Sequence, residues 1–333
     1  MATKSRPKAD PGAPEITVAA EQAGLRLDHF LKARFPELPK RQMQAWFDQG
    51  RVLCNGRAAR KGSRLCEGDR ILVRGPLGER GFVLVPDPEL PLSVLFEDPF
   101  LVAVDKPPGM PTHPLRSGET GTLANALIVR YPELPGIGYS AREPGLLHRL
   151  DRETSGVVLA AKKAFAFEQM RVQFEKGLVL KTYLALVEGE PEPWGRIDSS
   201  IGSRGRRAGR VRAVDPADAR GYRSLREAET RFRVVRRYGS FSLVRLWMRT
   251  GARHQLRVHM ASIGCPIAGD RTYGSGQERL AYASSSTEPP RQLLHAAEIQ
   301  FFHPESGRSM RIRSPLELEF AGYLERLRGE RYR

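Results

Sequence analysis

A stretch rich in glycine and proline, GPLGERGFVLVPDPELP (residues 75–91), divides the 333-residue chain into a short piece and a long one. Such a composition favours turns and extended segments over helix interiors and central strands. Each piece must therefore bury a core of its own. The chain reads as a disordered arm over residues 1–15, a small αβ domain over 16–75, a linker over 76–91, a large domain over 92–325 and a basic tail over 326–333. With 40% apolar and 28% charged residues, both domains have the material for a globular core.

The small domain shows two helical patterns. LRLDHFLKARF spaces Leu27, Phe30, Leu31 and Phe35 along one face, and PKRQMQAWFDQG does the same with Met43, Trp46 and Phe47 before Gly50, a C-cap candidate. RVLCNGRAA reads as strand, Asn-Gly turn, strand, and EGDRILVRG as a further turn and strand. In the large domain LSVLFEDPFLVAVDK holds two short apolar runs, SGVVLAAKK is a buried strand, and LVLKTYLALVEG and FSLVRLWMRTG are strands. AFAFEQMRVQFEKG and RHQLRVHMASIG are helices, the second aligning Leu256, Met260 and Ile263 and closing on Gly264. Strands outnumber helices and few strand-helix-strand units recur. The expected class is α+β, a mixed and mainly antiparallel sheet flanked by helices, behind a small αβ domain.

A net charge of +16 calls for a polyanionic partner, an anionic membrane surface, or simply a basic soluble protein. The clustering of cations favours nucleic acid. Residues 21–74 carry 12 Lys and Arg against 6 Asp and Glu, with Lys40, Arg41, Arg51 and Arg60 at helix starts and hairpin ends. SRGRRAGRVR adds Arg206 and Arg207 within a run of five arginines between 204 and 212, either a second RNA contact or solvated charge. No apolar run approaches the roughly 18 residues of a membrane span. The basic start MATKSRPKADPGAPE lacks the apolar region of a secretory signal. Cys54, Cys66 and Cys265 show no C-x-x-C spacing, so neither a zinc site nor a disulfide framework is indicated and a cytoplasmic location fits.

Three stretches could carry chemistry. HRLDRETSG (148–156) sets Asp151 between Arg149 and Arg152. Neighbouring guanidinium groups favour the charged carboxylate; two unit charges about 4 Å apart gain roughly 4 kcal/mol at an effective dielectric of about 20. An anion so held can act as nucleophile or base. The same pattern also suits an ion pair at a strand entrance. KTYLALVEG places Tyr183 on a strand face with Ala185 and Val187, either as a core tyrosine or as a ring for stacking on a base. RTGARHQLRVHMASIG turns Leu256 to the core and Arg257 one step round the helix. His254 and His259, five apart, do not share a helical face, and no acidic cluster accompanies them, so no metal is expected. A metal-dependent nuclease would need converging carboxylates, and Asp151, Asp270 and Glu298 are scattered along the chain.

Residues 21–74 resemble the S4 RNA-binding domain. In the large domain VDKPPGMPTHP, LLHRLDRETSGVVLAAK, KTYLALVEG, RTGARHQLRVH followed by PIAGD, and LLHAAEIQFFHP occur in that order. Together they resemble the pseudouridine synthase family that contains the dual-specificity tRNA/rRNA enzyme and the large-subunit ribosomal RNA uridine synthases. The resemblance implies an isomerase of RNA uridines that needs no cofactor, in keeping with the lack of GxGxxG, Walker and zinc signatures. It implies Asp151 as the catalytic aspartate, Tyr183 as the ring stacked on the target base and available to assist proton removal at C5, and Arg257 as the partner of Asp151. It implies Arg149 as the side chain that fills the gap left by a flipped nucleotide. His148, Leu256 and Arg253 are further substrate-binding candidates. The family often has arginine directly after the Thr-Gly pair, where this chain has Ala252. The S4-like domain points to rRNA modification and processing, with tRNA as the other substrate. The expected assembly is a monomer. A non-catalytic RNA-binding or ribosome-assembly protein is the competing reading.

Overall fold

The computed structural model describes residues 15–34, 40–48, 50–73, 82–204, 210–215, 220–274 and 289–330. The chain forms two compact units, Met1–Gly81 and Phe82–Arg333. The first contains β1 (Glu15–Thr17), α1 (Leu27–Arg34), α2 (Lys40–Asp48), β2 (Val52–Cys54), β3 (Arg57–Ala58) and β4 (Arg70–Val73). Its antiparallel sheet runs β1-β4-β2-β3. Asn55 and Gly56, with φ of 51° and 78°, make the β2–β3 turn, the conformation that an Asn-Gly pair favours. Leu27, Phe30 and Leu31 of α1 and Met43 and Trp46 of α2 pack with Val52, Ile71 and Val73 of the sheet. Phe35 lies outside the described residues, as do residues 1–14 of the expected arm. Glu15, assigned to that arm, opens β1 and pairs with Leu72.

The second unit contains β5 (Ser93–Glu97), β6 (Leu101–Lys106), α3 (Leu123–Arg130), β7 (Ser155–Ala161), α4 (Ala164–Glu175), β8 (Leu180–Glu188), β9 (Trp194–Asp198), β10 (Ser200–Ser203), β11 (Arg212–Val214), β12 (Arg223–Arg226), β13 (Glu229–Tyr238), β14 (Phe241–Met248), α5 (Gln255–Ser262), β15 (Leu294–Phe302), β16 (Ser309–Arg313) and α6 (Leu318–Glu330). Nine strands form one sheet in the order β5-β6-β7-β15-β8-β14-β13-β9, with β16 on β15. Its pairings are antiparallel except β7 with β15. The expected mixed, mainly antiparallel sheet is thus present. A smaller sheet runs β11-β10-β12.

Alternation along β6 and β7 explains why these strands read as unbroken apolar runs. Val102, Val104, Val158 and Ala160 enter one core with Leu123 and Leu127 of α3. Leu101, Ala103, Val157 and Leu159 enter another with Phe167 and Met170 of α4. A strand with both faces covered has no polar side to show.

Two further expected boundaries differ in the structure. Leu84 and Leu90, inside the stretch read as linker, pack on the first of these cores. The stretch read as a basic tail begins within α6, which runs to Glu330; Leu327 is buried with Phe320 and Leu324. In each case a few apolar side chains at the right spacing outweigh the polar or turn-forming residues around them.

β7 starts at the Ser-Gly pair that follows the Asp151 loop. Gly156 sits opposite Ala296 in the parallel pair and adopts φ +109°; a Cβ there would lie 2.3 Å from the Ala296 carbonyl oxygen. Backbone rather than a flexible side chain blocks the space. Gly156→Ala is expected to destabilise the protein by about 3 kcal/mol or more, read as a lower thermal midpoint.

Candidate active site

The loop that carries Asp151 is clamped on both sides. Thr112 Oγ1 donates to the Leu150 carbonyl (2.8 Å) and accepts from the Leu150 amide (3.2 Å). The fully buried Lys106, at the end of β6, sends Nζ to the carbonyls of Pro107 (2.8 Å), Met110 (2.7 Å) and Arg152 (3.0 Å). Burial pushes the Lys106 ammonium down to about 7, while three carbonyl acceptors match the three N–H bonds of its charged form. The Thr154 amide donates to the Asp151 carbonyl (3.1 Å), and Gln292 Nε2 donates to Thr154 Oγ1 (2.8 Å). The VDKPPGMPTHP stretch therefore supplies the fixed wall against which Asp151 is held.

Arg257, on α5, is 7% exposed and shared between two carboxylates. Its Nε and Nη2 donate to Asp270 Oδ2 and Oδ1 (2.7 and 2.8 Å), a two-point fork. Nη1 remains for Asp151 Oδ2, at 2.8 Å. Burial works against the guanidinium charge, but Asp270 and Asp151 outweigh it and raise the Arg257 pKa above its ordinary value. Burial would likewise raise Asp270; Arg257 and the amides of Thr272 and Tyr273 outweigh it and hold that carboxyl below its ordinary value. Asp270 follows Gly269, at φ +75°, where a Cβ would lie 2.0 Å from the Arg291 carbonyl oxygen.

Asp151 opens onto a small cleft lined by Arg149, Leu150, Thr154, Tyr183, Met248, Ala252, His254, Gln255, Leu256, Arg257 and Leu294. Its side chain keeps 25% of its exposure, with Oδ2 tied to Arg257 and Oδ1 3.8 Å from His254 Nε2. Tyr183 comes from the middle of β8 and is 4% exposed. Burial first, and the Asp151 charge second, push its phenol above the ordinary range. At neutral pH it is a neutral ring suited to stacking, and a poor base. Leu256 gives an apolar wall, and the exposed Arg149 stands at the cleft with Nη1 3.4 Å from His113 Nε2.

Other expected site residues lie elsewhere. His148 is absent from the cleft lining: its Nε2 accepts the Leu159 amide (3.1 Å) and its ring lies 5.7 Å from that of Phe174. Arg253 is exposed and does not line the cleft. Arg51, read as an RNA contact, is buried with its guanidinium 5.7 Å from the Trp46 ring centroid, because a strand-start arginine can cover an indole as readily as face solvent. Arg60 is exposed. The side chains of Lys40 and Arg41, and all of Arg206 and Arg207, lie outside the described residues. Asp270, set aside as scattered, meets Asp151 through Arg257, and the guanidinium fills the space between the two carboxylates.

Two groups escaped the sequence reading. Gln255 takes the Thr250 hydroxyl (2.9 Å) and the Ala252 amide (3.1 Å) on Oε1, and its Nε2 donates to the Glu229 carbonyl (2.9 Å). It staples the turn that enters α5. His254 sits at the N-cap of α5 with φ 53°. The only signal for either was its place inside the RTGARHQLR stretch.

Two outcomes follow from this geometry. Arg257→Ala leaves Asp270 buried without its counter-charge and is expected to cost about 3–5 kcal/mol in denaturant unfolding. Burial, with Lys181 adding to it, pushes the His148 imidazole down from 6.5 to about 3. A base whose folded pKa is depressed is protonated first in the unfolded chain. Stability therefore falls as pH drops from about 6.5 toward 3, with a slope of about 1.4 kcal/mol per pH unit for one proton. His148→Gln, which keeps an acceptor for the Leu159 amide, is expected to flatten that slope by one proton in unfolding titrations between about pH 6 and 4.

The model of the family described as RNA pseudouridylate synthase matches residues 100–262, and the S4 domain model matches residues 25–71. Ribosomal large subunit pseudouridine synthase D of Nitrosomonas europaea is 33% identical over 314 residues, 94% of this chain and 88% of that protein. The uncharacterized RNA pseudouridine synthase YlyB of Bacillus subtilis is 34% identical over 318 residues, 94% of this chain and 98% of that protein. Among solved structures, human RNA pseudouridylate synthase domain containing 4 superposes with a TM-score of 0.54 at 27% identity, covering 71% of this chain and 93% of that one. With motifs, fold and relatives in agreement, the chain belongs to the RNA pseudouridine synthase family, isomerases that convert uridine to pseudouridine in RNA.

Proposed function

We propose that this protein isomerises uridine in large-subunit ribosomal RNA, with Asp151 as the reacting group. The observation that carries the reading is the Asp151–Arg257–Asp270 chain of charges, at 2.8, 2.7 and 2.8 Å, opening onto a cleft beside Tyr183. The reaction breaks the N1–C1′ bond and joins C5 to C1′; the C5 proton leaves, N1 gains one, and no electrons are exchanged with a cofactor. A base inside a folded RNA must leave its stack to reach such a cleft. Arg149, exposed at the cleft, is the planar cation suited to fill the gap.

Asp151 keeps one oxygen on Arg257 and one free, as an anion waiting for substrate requires. Attack at C1′, removal of a ribose proton on the way to a glycal, and addition at C6 all start from that oxygen. Tyr183 stacks on the uracil as a neutral phenol. The S4 domain and the basic surface bind the phosphate backbone. Ribosomal RNA as the substrate is supported by the name of the Nitrosomonas relative, a ribosomal large subunit pseudouridine synthase, and by the S4 domain.

Pseudouridine mapped chemically across rRNA and tRNA from cells with and without the gene tests this reading. A site in large-subunit rRNA is expected to vanish on deletion and return with the wild-type protein but not with Asp151→Asn, whose RNA affinity stays within a few-fold. A lost site in tRNA instead would move the substrate. Restoration by Asp151→Asn would remove Asp151 from the chemistry.

A further inference from the structure

Arg257 accounts for one oxygen of Asp151; the other faces His254. His254 Nε2 lies 3.8 Å from Asp151 Oδ1, and the imidazole is 14% exposed. Its Nδ1 lies 2.8 Å from the Tyr273 hydroxyl. That hydroxyl also accepts the Val211 amide at 3.2 Å. Since the Val211 amide already donates to this oxygen, we assign the phenolic hydrogen to Nδ1, the arrangement in which the hydroxyl both accepts and donates. The neutral imidazole then carries its proton on Nε2, the nitrogen turned toward Asp151. The rings of His254 and Tyr273 meet edge to face, with centroids 5.6 Å apart and planes at 77°. Tyr273 in turn lies under the Arg257 guanidinium, 5.1 Å from the ring centroid.

The backbone supports the same assignment. Among the described residues, two that are not glycine have positive φ. Asn55 belongs to the Asn-Gly turn, where that conformation is ordinary. His254, at φ 53° and ψ 25°, takes the left-handed region without an Asn-Gly pair to favour it, a conformation uncommon outside glycine. What the conformation achieves is to start α5 with the imidazole aimed into the cleft while Leu256 and Arg257 keep their own directions.

We propose that His254 is a positioning residue for the isomerisation: its Nε2–H, oriented by the Tyr273 hydroxyl, donates to the free oxygen of Asp151 as the base enters, and with Arg257 fixes the carboxylate for reaction. The proposal rests on Asp151 being the reacting group. A movement of about 1 Å brings 3.8 Å to hydrogen-bond length, and such bonds tighten when substrate fills a site. No proton is transferred from His254; it acts through Asp151. Tyr273 is the outer member, holding the tautomer by one hydroxyl.

The test uses the full chain and total RNA from cells lacking the gene, labelled with tritium at uridine C5, so that the target is present whichever RNA bears it. Tritium release with enzyme in excess reads the chemical rate, filter binding reads affinity, and thermal midpoints read folding. His254→Ala is expected to lower the rate roughly ten- to a hundredfold, the span of one hydrogen bond to a charged acceptor, with affinity within about twofold of wild type. His254→Gln, which keeps an N–H at similar reach, is expected to recover most of the loss. His254→Gly relieves the backbone and is expected to stay as slow as His254→Ala. Tyr273→Phe keeps the ring on Arg257 and is expected to be slower by about tenfold; it serves as the test if His254→Ala fails to fold. Wild-type rates in His254→Gly or Tyr273→Phe, equal losses in His254→Ala and His254→Gln, or a loss confined to affinity would each overturn the proposal. An active Asp151→Asn would remove its foundation, whereas an inactive Asp151→Asn beside a fully active His254→Ala would sink the role of His254 alone.

Discussion

One guanidinium divided between two carboxylates is the constraint on which the catalytic unit depends. Desolvating Arg257 and Asp270 costs several kcal/mol per ion, which close, two-point pairing offsets. The fork to Asp270 is complete within the interior and uses Nε and Nη2. Nη1 is what remains, and it goes to Asp151. The local sum of charges is negative, two carboxylates to one cation, in a chain whose net charge is +16. Asp151 can therefore be oriented by a cation without being neutralised by it, because the same cation is already committed to Asp270. A lysine in place of Arg257 could offer N–H bonds to both carboxylates only from one nitrogen, without the two-point fork that fixes Asp270.

The sheet places the two carboxylates within reach of one side chain. Its single parallel pairing, β7 with β15, starts at Ser155 opposite His295 and Gly156 opposite Ala296. Both strands thus leave from the same end, and the segments before them, 151–154 and 289–293, run side by side. Gln292 on Thr154 and the Arg291 Nη1 contact with the Glu153 carbonyl at 3.2 Å are the direct result. Gly269 packs against the Arg291 backbone and brings Asp270 into the same group. On the other side Lys106, the last residue of β6, and Thr112, in the segment that follows, close on the Asp151 loop. The proline-rich loop quoted among the family motifs is, in physical terms, a clamp.

The sequence was legible where a residue's role follows from its own neighbours. Helix α5, strands β7 and β8, the Asn-Gly hairpin and the class of the large sheet all express local periodicity or turn chemistry. Asp151, Tyr183 and Arg257 came from ordered motifs that resemble a family, and the structure brings the three together. Asp270 was quoted within PIAGD but set aside, because its 13-residue separation from Arg257 gives no sign of a shared fork. His254 was weighed as a metal ligand beside His259, and its register with Asp151 is set by a left-handed residue that no pattern announces. Arg51 and His148 failed in the opposite sense: chemistry-bearing side chains in suggestive places that the fold spends on packing. Leu84, Leu90 and Leu327 were lost in segments judged by their overall composition. One buried leucine outweighs several polar neighbours in deciding where a domain ends, since burying it contributes roughly 1.5–3 kcal/mol.

The division between surface and cleft also separates affinity from chemistry. Exposed cations attract phosphate through water, and such attraction weakens as salt shortens the Debye length to about 8 Å at physiological ionic strength. The Asp151–Arg257–Asp270 group sits at contact distance in a partly enclosed site, with Asp270 wholly buried and Arg257 nearly so. Pairs of that kind are screened much less. Salt therefore acts mainly on how often RNA is held and little on what happens once a base has entered the cleft. In the reaction proposed above, a protein organised this way can let an undiscriminating basic surface find RNA, while turnover waits on one nucleotide reaching the Asp151 cleft.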